Sequence, residues 1–268
     1  LYEVQESWHP PTVEGRIDGG ELHFVDIWKT TQKMTRNPVK FGNICATCLP
    51  MMLWNEHYPS DKEMIMDIAA VLNEEYKELA KAGCKVIQIE EPVHHFNCQM
   101  EPPASDSDLK FYNEAFNRQV KDVETEIWAH TCWGNPNQQS FYWERPSYDR
   151  ALDYFLDMKC DVIDLECASN QARDAALFKN VDLKKYGKKI GIGVVDHTRT
   201  TVESPEMVAD TIRRALEFIP EDRLVITADC GFGREGLSRR IAYYKCVSLV
   251  LGTNIVRSEL GLEEKYVA

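Results

Sequence analysis

Short runs of β-branched and other apolar residues alternate along this chain with longer stretches whose apolar positions recur every three or four residues. The first pattern predicts strands and the second predicts amphipathic helices. A strand is expected over 39–45. A long helix follows over 61–82, with Met64, Ile68, Leu72 and Leu79 on one stripe. Ser60 and Glu63 form a capping box at its start, and Gly83 ends it. A strand over 85–90 leads to a helix over 107–122. The alternation continues with strands over 126–131, 161–166, 189–195 and 224–228. Helices are expected near 147–158, 170–178, 205–218 and 235–251.

Strands separated by helices of this length imply parallel pairing through right-handed crossovers. Polar residues gather at the C-terminal ends of many successive strands: Glu90 and Glu91, His130 and Cys132, Glu166, Asp196, Asp229 and Cys230. A barrel enzyme collects its site from all round the ring in this way, whereas a doubly wound sheet concentrates it at one switch point. The fold class expected is therefore α/β, a (β/α)8 TIM-type barrel, with 1–268 as a single domain. Six core strands are counted where a barrel needs eight, so the first one or two βα units are expected upstream of Leu1. Asp18-Gly19-Gly20 lies between two alternating stretches, and 10–27 reads as a hairpin over the barrel.

The 268 residues carry a formal charge of -12, which disfavours nucleic acid or an anionic membrane as partner. No apolar run approaches the roughly 20 residues of a membrane-spanning helix. Nine cysteines, an odd number in a chain this long, suit a reducing cytoplasm better than a disulfide framework.

His130 and Cys132 are two residues apart on a strand and so point to the same side. Glu166 closes the strand VIDLE, and Cys230 follows VITAD. One imidazole, two thiolates and one carboxylate at a shared rim suit Zn2+. These ligands are spread over about 100 residues rather than clustered in CxxC knuckles, which favours a catalytic centre over a structural one. Such a centre turns a substrate thiol, with a free pKa near 8.5, into a nucleophilic thiolate.

At these residues the chain resembles the catalytic C-terminal domain of cobalamin-independent methionine synthases. The matching segments, in order, are VIQIEEP (86–92), HTCWGN (130–135), DVIDLE (161–166), GVVD with VESPE (193–196, 202–206) and DCGFG (229–233). The resemblance implies a (β/α)8 barrel, with zinc on His130, Cys132, Glu166 and Cys230. It implies methyl transfer to homocysteine to give methionine. It also implies that Glu90 holds the substrate amine, although the family has Asp there. The extra methylene moves that charge by about 1.5 Å, the length of a C–C bond. His197 follows Asp196 directly, where the family's His lies two residues beyond its Asp.

The sequence thus nominates Asp196 and His197 for proton handling, and Glu90, Glu91, His94 and Trp133 for substrate binding. The partners expected are a small-molecule thiol, homocysteine above all, and a methyl or alkyl donor. A partner protein or homo-oligomer is compatible. Alkylation of another thiol (coenzyme M or glutathione) by an epoxide or methyl-corrinoid is the alternative, as is a non-catalytic zinc-stabilised barrel subunit. Trp54 is weighed as a stacking surface, His95 together with His94 as a substrate-binding or proton-exchanging residue or a solvated loop histidine, and Cys45 with Cys48 as a CxxC pair.

Overall fold

Parallel strands linked through helices organise both halves of the chain. The computed structural model describes residues 10–134, 146–233 and 237–265. Two compact units emerge, Leu1–Ile127 and Trp128–Ala268. In a βαβ chain each strand packs mainly on its sequence neighbours, so contacts concentrate within each half.

The first unit contains β1 (Thr12–Val13), α1 (Phe24–Gln32), β2 (Phe41–Ile44), a 3-10 segment (Ala46–Met52), β3 (Trp54–Asn55), α2 (Asp61–Lys81), β4 (Val86–Glu90), α3 (Val93–Cys98) and α4 (Asp106–Gln119). β2 and β4 run parallel, with Ile44 opposite Glu90. The Cys45 amide extends the ladder to Glu90 O at 3.1 Å. Met64, Ile68, Leu72 and Leu79 of α2 are all buried, as their spacing requires. Ser60 Oγ accepts the Glu63 amide at 3.4 Å, as read from the capping box. The buried Asn73 amide ties α2 to the end of α4 by donating to Gln119 O and Lys121 O.

The second unit takes up β5 (Glu126–Thr131), which crosses the boundary between the two, and continues with α5 (Leu152–Asp157), β6 (Val162–Leu165), 3-10 segments over Ala168–Asn170 and Arg173–Phe178, α6 (Leu183–Tyr186), β7 (Lys189–Gly193), α7 (Pro205–Leu216), β8 (Leu224–Thr227) and α8 (Arg239–Glu259). β5, β6, β7 and β8 pair parallel in that order. All four residues of β6 are buried, and β7 is almost as fully enclosed. This is the continuous apolar pattern of a sheet covered on both faces.

The hairpin expected over 10–27 is replaced by two other elements. Thr12–Val13 pairs parallel with Trp54–Asn55, and Phe24 opens a helix. Phe24 packs on Phe41 with ring centroids 4.8 Å apart, and Trp28 Nε1 donates to Val39 O at 3.0 Å. The i, i+4 pair Phe24–Trp28 is a helical signal, and the alternation read as a second strand overlapped its start. The helix expected over 170–178 is instead 3-10 over Arg173–Phe178, and α3 was not anticipated. The expected start of the last helix, Glu235, lies outside the described residues.

α7 and α8 cross at Gly252. A Cβ there would lie 2.5 Å from the Val208 side chain and 2.6 Å from Pro205 O. The carbonyl belongs to the first turn of α7 and cannot swing away. Overpacking of this kind costs about 1–3 kcal/mol, against a helix-propensity gain of up to about 1. Gly252→Ala is therefore expected to lower the urea midpoint, with a net loss of about 1–2 kcal/mol. An unchanged midpoint would show that the crossing is looser than this packing implies.

Candidate metal centre

β7 lies between β6 and β8, and two of its residues are glycines that leave room for side chains from either side. A Cβ on Gly191 would come within 2.5 Å of Asp164 Oδ1, and one on Gly193 would overlap the Asp229 carboxylate. Over Gly191, Asp164 of β6 meets Thr227 of β8, whose hydroxyl donates to Asp164 Oδ1 at 2.7 Å. Past Gly193, Asp229 reaches back to the turn after β6. Its Oδ1 accepts the amides of Cys167 (2.8 Å) and Ala168 (2.7 Å), and its Oδ2 accepts that of Ser169 (3.1 Å). The carboxylate thus caps the 3-10 segment Ala168–Asn170.

Asp164 sits opposite His130 in the β5–β6 register. Its Oδ2 lies 2.9 Å from His130 Nδ1. A carboxylate accepts, so Nδ1 carries the proton and Nε2 is the nitrogen with a lone pair to give. His130, Cys132 and Cys230 bring ligand atoms that all lie within 4.8 Å of one another. The two sulfurs are 3.7 Å apart. Their shared hydrogen bond holds the Cys230 thiol far below its ordinary range, with the His130 ring adding to the effect. The same hydrogen bond, followed by burial, pushes Cys132 up.

Glu166, expected as the fourth ligand, falls in a second group with His197 and Asp229, all three buried and within the same 4.8 Å. Glu166 Oε2 accepts the Trp133 amide at 2.7 Å, and Oε1 accepts the Ser169 hydroxyl at 3.2 Å. Burial, then the charge of Glu166, raises the Asp229 carboxyl; the amides of Ala168 and Cys167 oppose this. The structure brings His197 into this group, and Asp196 stands beside it with 5% of its surface exposed. Asp196 Oδ1 accepts the Thr198 amide and hydroxyl, and Arg199 Nε lies 3.3 Å from Oδ2.

Trp133 has no exposed surface. Its ring stacks on Tyr148 at 4.8 Å and 29°. It is a core residue in this structure, so its contribution is the amide held by Glu166 and not an open stacking face. Trp54, by contrast, is exposed. Glu90, Glu91 and His94 belong to the first unit. Glu90 is half-buried and accepts Gln88 Nε2 at 2.6 Å. Glu91 is fully buried, accepting Thr47 Oγ1 at 3.1 Å and the Val93 amide at 3.2 Å. His94 is buried beside it, with Nδ1 3.4 Å from Oε1, and His95 is buried too, so neither is a solvated loop histidine.

Sequence reasoning placed Asp229 at a strand end without giving it a role, and passed over Asp164, Gly191, Gly193 and one clamp. Glu203 Oε1 accepts the Asp196 amide at 2.9 Å. Lys245 of α8, with no exposed surface, reaches both Glu203 oxygens (3.0 and 2.8 Å) and Thr201 O. Ser248 of α8 also bonds Glu203 O. The last helix thereby fixes the loop that carries Asp196 and His197. The alternation Gly-Ile-Gly in β7 and a lysine at a core-facing position of the last helix were the available signals.

A ligand-bearing cluster at the C-terminal ends of parallel strands defines the class: an α/β protein of the TIM-type barrel with its site where such barrels carry it. The chain belongs to the family described as "Cobalamin-independent synthase, Catalytic domain", whose model matches residues 2–246. A methionine synthase of Saccharolobus solfataricus is 37% identical over 257 residues, covering 94% of this chain and 69% of that protein. One from Thermococcus kodakarensis is 39% identical over 212 residues, 79% of this chain; the matched part spans 55% of that relative's length. A B12-independent methionine synthase from Shewanella sp., solved with selenomethionine, aligns at TM-score 0.78 and 28% identity over 93% of this chain and 71% of that one. Among the described residues, no helix is long and apolar enough to cross a membrane.

Replacing Lys245 with Met leaves the Glu203 carboxylate without its cation. Breaking a buried pair from one side costs about 3–5 kcal/mol. Glu203 is slightly exposed, at 13% of its side chain, so the lower end is expected for Lys245→Met in urea unfolding. Lys245→Arg is expected to recover part of the loss. A Met variant as stable as the parent would remove the clamp from the account.

Proposed function

We propose that this chain is a zinc-dependent methyltransferase domain that joins a methyl group to the sulfur of homocysteine, giving methionine. The observation that carries the reading is the group His130, Cys132 and Cys230, with the His130 tautomer fixed by Asp164. One nitrogen and two sulfurs suit zinc, and three protein donors leave the open position that a catalytic site needs. Zinc held there supplies a lowered pKa to a substrate thiol, so that the sulfur reacts as a thiolate. Family membership and the relatives named methionine synthase support homocysteine as that thiol.

The chain's own residues do the rest. Asp164 keeps Nε2 free of a proton and aimed at the sulfurs. Cys132 and Cys230 would bind the metal as thiolates. Glu166, placed by the Trp133 amide and Ser169, is a carboxylate poised beside the site as a further ligand. His197, buried between Glu166 and Asp229, holds a proton for the donor's leaving group, with Asp196 alongside. Glu90 is the carboxylate assigned to the substrate's ammonium group, and Glu91 with His94 sets the turn just after it. The methyl donor is a methylfolate or a protein-borne methyl group. The nine free thiols support a reducing cytoplasm as the setting of this chemistry.

Calorimetric titration of the zinc-loaded chain with homocysteine tests the proposal. Binding with release of close to one proton is expected, and its loss in Cys230→Ser. Tight zinc binding that ignores Cys230→Ser would sink the site assignment. Binding of glutathione or coenzyme M in place of homocysteine would sink the substrate. Removing the carboxylate behind His130 gives a second check. Asp164→Ala is expected to weaken zinc affinity about 10- to 100-fold, measured by competition with a chromophoric chelator.

A further inference from the structure

The CxxC pair of the first unit is left unused by this chemistry. Cys45 follows β2 directly and Cys48 lies one turn on, its amide donating to Cys45 O at 3.2 Å. The two thiols are buried, and their sulfurs are 3.1 Å apart. That is closer than the 3.7 Å between the metal-site cysteines. Neither belongs to a group of three or more potential ligands among the described residues. The pair therefore lacks the third and fourth donors that hold zinc, while a disulfide needs only two sulfurs. Closing the gap to about 2.05 Å asks for a shift of about 1 Å, within reach of side-chain rotation across a one-turn loop. Thr47, between them in sequence, adds a second feature. Its hydroxyl lies 3.0 Å from Cys45 Sγ and 3.1 Å from Glu91 Oε2. It has one proton for two acceptors.

We propose that Cys45 and Cys48 form a dithiol site that hydroperoxides oxidise to an intramolecular disulfide. One sulfur attacks the peroxide, the O–O bond breaks, and a sulfenic acid forms as water or an alcohol departs. The second sulfur attacks the first, the S–O bond breaks, and water leaves with the remaining thiol proton. Two thiols and one hydroperoxide become one disulfide, one alcohol or water, and one water. The two electrons end on the peroxide oxygens. A disulfide sulfur accepts hydrogen bonds poorly, so oxidation leaves the Thr47 hydroxyl to Glu91. The change thus reaches the turn that follows Glu90. Burial holds the Cys45 thiol above its ordinary range, which makes the reaction slow compared with that of an exposed thiolate.

The test uses the full zinc-loaded chain and hydrogen peroxide. After treatment the protein is denatured with a thiol-alkylating reagent and digested with trypsin. Cleavage after Lys40 and Lys62 gives a peptide holding Cys45 and Cys48 and no other cysteine. The expected result is a peptide about 2 Da lighter than its reduced form and closed to alkylation, restored by dithiothreitol. Cys48→Ser is expected to abolish that species. Cys246, the exposed cysteine, serves as the internal measure of oxidant exposure. Recovery of both cysteines alkylated when Cys246 is already oxidised would overturn the proposal, as would sulfinic acids on Cys45 or Cys48 without the disulfide. The parent peptide map decides the matter even if the variant folds poorly, and the outcome does not depend on which thiol the metal centre binds.

Discussion

The second unit depends on two missing side chains. Because Gly191 and Gly193 present no Cβ, Asp164 and Asp229 can extend over β7 and find partners on strands or turns that are not their neighbours. A buried carboxylate without partners costs several kcal/mol, so the gap and the partners must occur together. Asp164 has His130 and Thr227; Asp229 has three backbone amides. Each carboxylate then orients something that chemistry needs. Asp164 fixes an imidazole, and Asp229 fixes the turn that holds Ser169 against Glu166. An alanine at either glycine would disturb the centre without touching any ligand.

The same economy links the last helix to the site. Lys245 is a cation deep in the protein, tolerable only because Glu203 and a carbonyl saturate it. Glu203 also receives the Asp196 amide, so the helix anchors the loop from β7 to α7 near its start and close to its end. Gly252 lets α8 approach α7 closely on the other side. Loops at strand ends carry function but are the parts of a barrel most free to move. Here one loop is tied by a charged pair rather than by apolar packing, which fixes its direction as well as its position.

Much of this was legible in the sequence, and the divide has a physical cause. The strands and the helices 61–82 and 205–218 were read well, because period and capping are local. Ser60, Ser105, Ser204 and Ser238 all cap their helices as such residues do. His130, Cys132 and Cys230 were found because softness and strand-end position leave few other uses for them. Phe24–Gln32 was missed because a short helix after Gly19-Gly20 imitates the second half of a hairpin. Asp164 was passed over, and Asp229 was given no role, because Thr227 and the turn after β6 are reached across β7, and no linear period reports a side chain that crosses a neighbouring strand. Trp133 was drawn toward substrate by its place beside Cys132; alternation on the strand turns it the other way, onto Tyr148.

The grouping of donors also bears on how the centre divides its work. Hard and soft ligands are separated: one imidazole and two sulfurs in one cluster, two carboxylates and one imidazole in the next. A soft donor set leaves a bound zinc electron-rich, which keeps a coordinated thiolate reactive. A carboxylate in that set would compete for the position a substrate thiol must take. With Glu166 held by the Trp133 amide and the Ser169 hydroxyl, its charge remains close enough to balance a cation and yet has partners of its own when a thiol arrives. On the proposed reading, the hydrogen bonds that detain Glu166 are therefore part of what would give a substrate thiol its place.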